Sequence, residues 1–313
     1  MPKRKKSRGP TSLHLALPAT SANLGPAFDA AALAMDLYIT IDARAASSFS
    51  IHASGRDEGI CQAIEDNLIL TTYREILESH SAKVTPLTLR IKNDIPIGKG
   101  CGSSAAARLA GIALANRFGG LRWSDPQIIG EASRREHHPD NASACWMGGL
   151  TVARMSGEAE VEVACIRPKG NWPLLLAIPD QTLSTEEARR VLPANYSRAD
   201  AVANVQNSML LLAAFVQGRH SLLSVALEDR IHQPYRAPLC PLLPGLQKLA
   251  GKPGILGVAL SGAGPSVLVF LDPTSPILKA QRLVGAHLER SGLSAELLRT
   301  SISSRGARRP RFL

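Results

Sequence analysis

Residues 96–107 read Pro-Ile-Gly-Lys-Gly-Cys-Gly-Ser-Ser-Ala-Ala-Ala, and this glycine-rich turn constrains the fold more than any other stretch. Before it, Leu87, Leu89 and Ile91 alternate as in a half-buried strand. After it, residues 103–118 are alanine-rich, with Leu109, Ile112 and Ala113 at helical spacing and Gly119-Gly120 as a stop. Gly98, Gly100 and Gly102 permit positive φ and close backbone approach. The helix behind them points unpaired N–H groups and the positive end of its dipole at the turn. Strand, glycine turn and helix together predict an anion site suited to phosphate. A Walker A loop is excluded, because Gly-Lys-[Ser/Thr] is missing. Gly100-x-Gly102-x-x-Ala105 matches the dinucleotide fingerprint only loosely, since the acid expected about 20 residues on is Asp125, which reads as a helix cap. Taken alone, the segment is as readily a plain structural turn.

Two more loops of Gly, Pro and polar residues lie between apolar strands. Residues 18–29 follow the alternating Leu13, Leu15 and Leu17, and precede a strand through Leu37, Ile39 and Ile41. Residues 261–266 read Ser-Gly-Ala-Gly-Pro-Ser between strands expected at 254–260 and 265–271. Helices are expected from 66–67 to 77, from Asp125-Pro126 to 136, and at 185–191, 198–217 and 275–291. Asn171-Trp172-Pro173 reads as a junction. Strands and helices mix without regular alternation, so the class is α+β in two halves: 12–168 and 169–300.

The net charge of +10 belongs to the two ends. Residues 1–10 carry five basic side chains and residues 301–313 carry Arg305, Arg308, Arg309 and Arg311, with no acid in either segment. Setting those nine aside leaves 27 basic against 26 acidic side chains. Segments 1–11 and 301–313 therefore read as solvated basic tails, able to hold phosphate backbones nonspecifically. The five cysteines are scattered with no Cys-x-x-Cys, which suggests reduced thiols and a cytoplasmic setting. No run of 18 apolar residues escapes a charge or proline, so no membrane span is expected.

The three loops, in this order and spacing, resemble the three motifs of the GHMP kinases, and in detail those of the homoserine kinases within them. Pro18-Ala-Thr-Ser-Ala-Asn-Leu-Gly-Pro26, His138-Pro-Asp-Asn141 followed by Gly148-Gly149-Leu150, residues 183–193, Gln233-Pro-Tyr-Arg236 and Leu260-Ser-Gly-Ala-Gly-Pro265 join the phosphate turn as six ordered motifs over residues 13–300. The resemblance implies an N-terminal domain like the second domain of ribosomal protein S5, a C-terminal ferredoxin-like domain, and a homodimer. It implies transfer of phosphate from ATP, with Mg²⁺, to the hydroxyl of L-homoserine. Ala27 stands where glycine is usual, so that turn must avoid positive φ or bear strain. Cys101, Lys99 and His137 are further departures, none removing a polar group the chemistry needs.

By this resemblance the ATP site comprises Pro96, Ile97, Gly98, Lys99, Gly100, Cys101, Gly102, Ser103, Ser104, Ala105, Ala106, Gly262 and Gly264. Lys99 contacts the nucleotide or points to water, and Asn67 approaches adenine or caps the helix after it. Ser104 ligates Mg²⁺ with a glutamate, Glu136 in preference to Glu131. Asn23, Asp29, His138, Asp140 and Asn141 serve the amino and hydroxyl ends of the substrate, and Thr185, Arg189 and Arg236 its carboxylate. Asp29, His138 and Asn141 are the catalytic candidates. Asn141 replaces the aspartate of mevalonate kinases, so either the γ-phosphate takes the hydroxyl proton or Asp29 or His138 does. Two other readings compete: a GHMP kinase for another small alcohol, and a nucleic-acid binder using the tails. The near-neutral body and 4% aromatic content oppose the second.

Overall fold

The computed structural model describes residues 12–307. The first half runs β1 (Ser12–Asn23), β2 (Ala27–Ala45), β3 (Ser50–Gly55), α1 (Glu58–Gln62), α2 (Leu68–Ser79), β4 (Leu87–Asn93), α3 (Ser103–Gly119), α4 (Asp125–Glu136), α5 (Asp140–Met147), β5 (Leu150–Met155) and β6 (Val161–Ile166). Its sheet has the order β3-β4-β2-β5-β6, with β1 paired to β2. The second half runs β7 (Pro173–Ile178), α6 (Thr185–Arg190), α7 (Arg198–Gln217), α8 (Leu223–Ala226), α9 (Gln233–Arg236), α10 (Leu242–Gln247), β8 (Ile255–Leu260), β9 (Val267–Leu271), α11 (Ile277–Arg290) and β10 (Glu296–Ser301). Its antiparallel sheet has the order β10-β7-β9-β8, the ferredoxin-like arrangement of strands interleaved with helices.

Alternation in β7 joins the halves. Leu174, Leu176 and Ile178 enter the main core with Leu17, Met35 and Leu109, while Leu175 and Ala177 face a second core with Leu243 and Val284. A strand buried on both faces reads as a continuous apolar run, as Pro173–Ile178 does. In α3, residues 109–115 are all buried, which suits a helix apolar around its whole circumference.

Several expectations need correction. Residues 18–29 are mostly strand: β1 continues to Asn23 and β2 starts at Ala27. Thr20, Ser21 and Asn23 look loop-like but are buried and paired, Thr20 N–H donating to Cys101 O at 3.0 Å. Ala27 avoids positive φ, and the left-handed residues are instead Asn23 (φ 70°), Leu24 (45°), Gly25 (76°) and Asp29 (53°). Ser124, not Asp125, caps α4 in a capping box with Gln127, and Asp125 accepts from Trp146 Nε1 at 2.9 Å. Strands β3, β5 and β10 and helix α5 carry no clear periodic signal and were not expected.

The second basic tail is also shorter than expected. Residues 302–307 run back along the first half: Ile302 bridges Met35, Ser303 exchanges backbone bonds with Ala34 and Gly149, and Ala307 N–H donates to Cys145 O at 3.1 Å. Arg305 N–H donates to Ser303 Oγ, so this arginine belongs to a folded strap. The expected tails at 1–11 and 308–313 lie outside the described residues.

Helix α7 qualifies the expectation about membranes, since by length and composition it is apolar enough to cross one. Its inner face is part of the fold: Leu211, Ala214 and Phe215 are buried, and Asn204 Nδ2 donates to Pro26 O at 2.6 Å.

The strap generates a test. A chain ended after Ser301 loses three backbone hydrogen bonds, each worth about 1 kcal/mol net. With about 2 °C of Tm per kcal/mol in a chain this long, its Tm should fall by roughly 5 °C or more in a thermal melt.

Candidate active site

Three turns from distant parts of the sequence meet at the boundary of the halves. Gly262 N–H donates to Ala22 O at 3.1 Å, Ser261 Oγ donates to Gly100 O at 2.8 Å, and Asn23 Nδ2 donates to Gly262 O at 2.8 Å. Such contacts need bare backbone. A Cβ on Gly100 (φ 76°) would sit 2.2 Å from Ser261 O, and one on Gly102 (φ 71°) would sit 1.9 Å from Thr20 Oγ1. Gly102 begins α3 with no side-chain cap, so the first amides of this 17-residue helix stay open toward the turn. Donors of this kind, at the positive end of a long helix dipole, favour phosphate oxygens.

A polar cavity of about 110 Å³ lies against this helix end. Of the expected residues it gathers Asn23, Asp29, Gly98, Gly100, Gly102, Ser103, Ser104, Glu136, His138, Asp140, Asn141, Thr185, Arg189, Arg236, Gly262 and Gly264. Beside it, sharing Gly98, Ser103 and Ser104, opens an apolar cleft of about 330 Å³ lined by Ile39, Ile60, Ile91, Ile95 and Ile97, with Asn67 and Ala106. A dry slot continuous with an anion cradle suits a base followed by its phosphates. Of these isoleucines only Ile97 was expected in the site; Ile39, Ile60, Ile91 and Ile95 were not, because apolar residues outside the glycine turn read as core.

Five expected residues line neither cavity. Pro96 is buried at the strand end, and Cys101 and Ala105 lie in the interior, where burial pushes the Cys101 thiol up to about 12. Lys99 neither points to water nor enters the cradle; its Nζ donates to the carbonyls of Asp180 and Gln181 and ties the turn to the second half. Glu131 is held by Arg134 and Arg135 at 2.7–2.9 Å; burial works against its charge, but the two arginines keep its pKa below the usual range. Asn67 caps α2, accepting from Ile69 and Leu70 and donating to Cys61 O and Ala63 O, which leaves its amide fully engaged at the rim of the cleft.

Charged groups in the polar cavity come in pairs. Glu136 Oε1 accepts from Ser104 Oγ at 2.7 Å and from Arg108 Nε at 2.5 Å. His138 Nδ1 lies 2.6 Å from Asp140 Oδ1; burial opposes a charged ring, but Asp140 and then Asp29 outweigh it and raise the pKa. Arg189 bonds both oxygens of Asp29, at 2.7 and 3.0 Å. Asp29, His138 and Asp140 come within 4.8 Å of one another, a spacing that could hold a metal, yet Arg189 already supplies a cation there. Asn141 Oδ1 accepts from Thr20 Oγ1 at 2.6 Å. Arg236, 1% exposed, donates through Nε to Ala188 O at 2.9 Å, and burial with the nearby Arg189 lowers its pKa to about 10, so it stays charged at neutral pH. Both guanidiniums lie over the Phe28 ring, at 5.4 and 5.3 Å. Arg108 and Phe28 were missed by sequence reasoning, since a helix arginine and a strand phenylalanine have more common structural uses.

The comparisons agree with this architecture. Residues 67–149 match the family described as GHMP kinases N terminal domain, and residues 211–289 match GHMP kinases C terminal. A homoserine kinase from Solibacter usitatus is 43% identical over 294 residues, covering 94% of this chain and 95% of the relative. Another, from Desulfitobacterium hafniense, is 37% identical and covers 93% and 97%. The crystal structure of homoserine kinase from Cytophaga hutchinsonii shares the fold, with a TM-score of 0.80 at 23% identity over 99% of both chains. With its phosphate turn, paired sheets and near full-length similarity to these relatives, the chain belongs to the homoserine kinase branch of the GHMP kinase family.

Proposed function

We propose that this chain transfers the γ-phosphoryl group of ATP to the hydroxyl of L-homoserine, forming O-phospho-L-homoserine and ADP. One observation carries the reading: Asp29, Arg189 and Arg236 line the same small cavity as the amides of the phosphate turn. An amino acid brings an ammonium for Asp29 and a carboxylate for the arginines, whose planar forks suit its two oxygens. Asp29 and Arg189 compensate one another, and a zwitterion exchanges that one ion pair for two. Thr185 reaches the same cavity from the start of α6.

Adenine occupies the isoleucine slot and the triphosphate follows the turn to the open amides of α3. Ser104 Oγ and Glu136 Oε1, 2.7 Å apart at the mouth of the turn, are the hard oxygen donors that suit Mg²⁺, which prefers few protein ligands. When bound, the ion neutralises phosphate charge. The substrate oxygen then forms a bond to the γ-phosphorus as the bond to the β-phosphate oxygen breaks, a reaction limited mainly by positioning and charge. Both Asp29 oxygens are engaged by Arg189, and Asp140 favours the charged form of His138. Neither is poised as a base, so the hydroxyl proton passes to the transferred phosphoryl group. Asn141, fixed by Thr20, and His138 orient the hydroxyl.

We also propose that a second copy covers α7. Val202, Val205, Met209 and Val216 are 49%, 63%, 63% and 50% exposed, and with half-buried Leu212 they repeat at alternating intervals of three and four. That spacing makes a self-pairing seam. Two such helices packed antiparallel about a two-fold axis bring Asp200 of one toward Arg219 of the other.

Three measurements follow. In a coupled ADP-release assay with Mg²⁺, homoserine should be preferred over mevalonate, galactose and shikimate; turnover of mevalonate alone would overturn the substrate. Glu136→Gln should lower kcat more than about tenfold, a loss of about 1.4 kcal/mol, while Glu131→Gln leaves kcat nearly unchanged. In sedimentation equilibrium the chain should weigh twice its 33.3 kDa, and Val205→Asp with Met209→Glu should halve that mass.

A further inference from the structure

His232, immediately before α9, is completely buried although nothing in the phosphoryl transfer calls for a titratable group there. Its ring stacks on Phe28, with centroids 5.3 Å apart and planes at 26°. Nε2 lies 2.8 Å from Gly25 O, and Nδ1 lies 3.2 Å from Arg236 Nη1. A carbonyl only accepts and a guanidinium only donates. The two contacts therefore require a proton on Nε2 and a lone pair on Nδ1, which is the neutral ring in one tautomer. Burial agrees, lowering the pKa to about 4 despite Asp229 nearby. Asp229 accepts from the backbone N–H groups of Ile231, His232 and Gln233 at 2.6–2.9 Å, and its Oδ2 also lies 3.5 Å from Nε2, the nitrogen that carries the proton.

Arg236 is thus held on three sides: Nε on Ala188 O, Nη1 on His232 and the guanidinium face on Phe28. Its remaining N–H groups are left for the polar cavity it lines. Gly25, at the other end of the histidine, belongs to the left-handed run that begins at Asn23, whose Oδ1 accepts from Asp29 N–H at 3.0 Å. One imidazole therefore spans from the arginine to the turn whose Asn23 holds the backbone of the ammonium acceptor Asp29.

We propose that His232 is a positioning residue for amino-acid recognition, locking the Arg236 guanidinium to the turn at Gly25 so that the two poles of the substrate site keep a fixed separation. This rests on the homoserine reading above. Without the lock, Arg236 is free to relax toward Asp29 and the carboxylate loses a preorganised partner.

Two substitutions separate the contacts. His232→Asn puts an amide oxygen where Nδ1 stood and keeps an acceptor for Arg236. His232→Gln reaches Gly25 O with an amide N–H and leaves Arg236 without its acceptor. The homoserine KM should rise roughly tenfold or more in His232→Gln, as for loss of a hydrogen bond to a charged group, and clearly less in His232→Asn. The KM for ATP should stay within about twofold in both, and turnover of 3-aminopropan-1-ol, which lacks the carboxylate, should be insensitive. Equal changes in the two variants, or a parallel rise in the KM for ATP, would make His232 merely structural. Homoserine turnover absent from the unsubstituted enzyme would instead overturn the substrate reading, and this proposal with it. If neither variant folds, ¹⁵N histidine shifts of the unsubstituted protein decide: a neutral Nε2–H ring from pH 5 to 9 is expected, and an imidazolium or Nδ1–H ring would overturn the lock.

Discussion

The contact on which the rest of the site depends is the close approach of two backbones where the turn before α3 meets the loop between β8 and β9, clasped by a serine hydroxyl. Gly100 O and Ser261 Oγ are 2.8 Å apart, and no side chain at position 100 could occupy the 2.2 Å separating a Cβ from Ser261 O. The loop in turn meets β1 through Gly262 and Ala22. Buried peptide groups must be paired, so these bonds fix the turn's height and tilt as firmly as packing fixes a core residue. The open amides of α3 therefore face a cavity whose opposite wall belongs to the second half. Lys99 adds to the link by bonding carbonyls at 180–181.

Around that frame, charge is placed in compensated sets. Desolvating an isolated ion costs several kcal/mol, whereas a pair with good geometry offsets much of it. Asp29 with Arg189, His138 with Asp140 and Glu136 with Arg108 each satisfy this. Each pairing also defines what a ligand exchanges for. The zwitterion enters between Asp29 and the two arginines, and Glu136 stands at the phosphate end with Ser104. Phe28 offers its ring to both guanidiniums, which stand 5.4 and 5.3 Å from its centroid, within cation–π range.

The C-terminal strap extends the same logic to the whole molecule. Residues 302–307 leave the second sheet at β10 and bond to Ala34, Gly149 and Cys145 of the first half. Tyr38 Oη and Ser303 Oγ lie 2.6 Å apart at its start. Helix α5, whose first turn carries Asp140 and Asn141, is thereby anchored at its far end by a segment more than 150 residues away in sequence.

What was legible in the sequence was local and periodic. The alternation in β1 and β4, the alanine helix α3 and the glycine turn before it can be read from spacing, because side-chain direction and left-handed backbone are properties of short segments. The ordered motifs then carried the site's membership: most of the residues expected around substrate and phosphates do line the polar cavity. Only tertiary structure decided the rest. Whether Glu136 or Glu131 reaches Ser104 depends on where α4 ends against α3, and two acids five positions apart on one helix look alike until that packing exists. Lys99 as a tie and residues 302–307 as a strap are likewise decided by partners distant in the chain. The buried histidine that links Arg236 to Gly25 is the clearest case, since its tautomer is set by two groups 207 and 4 residues away. A sequence specifies the donors and acceptors each residue owns; which of them meet is settled only when the core closes and every buried polar group must find a partner.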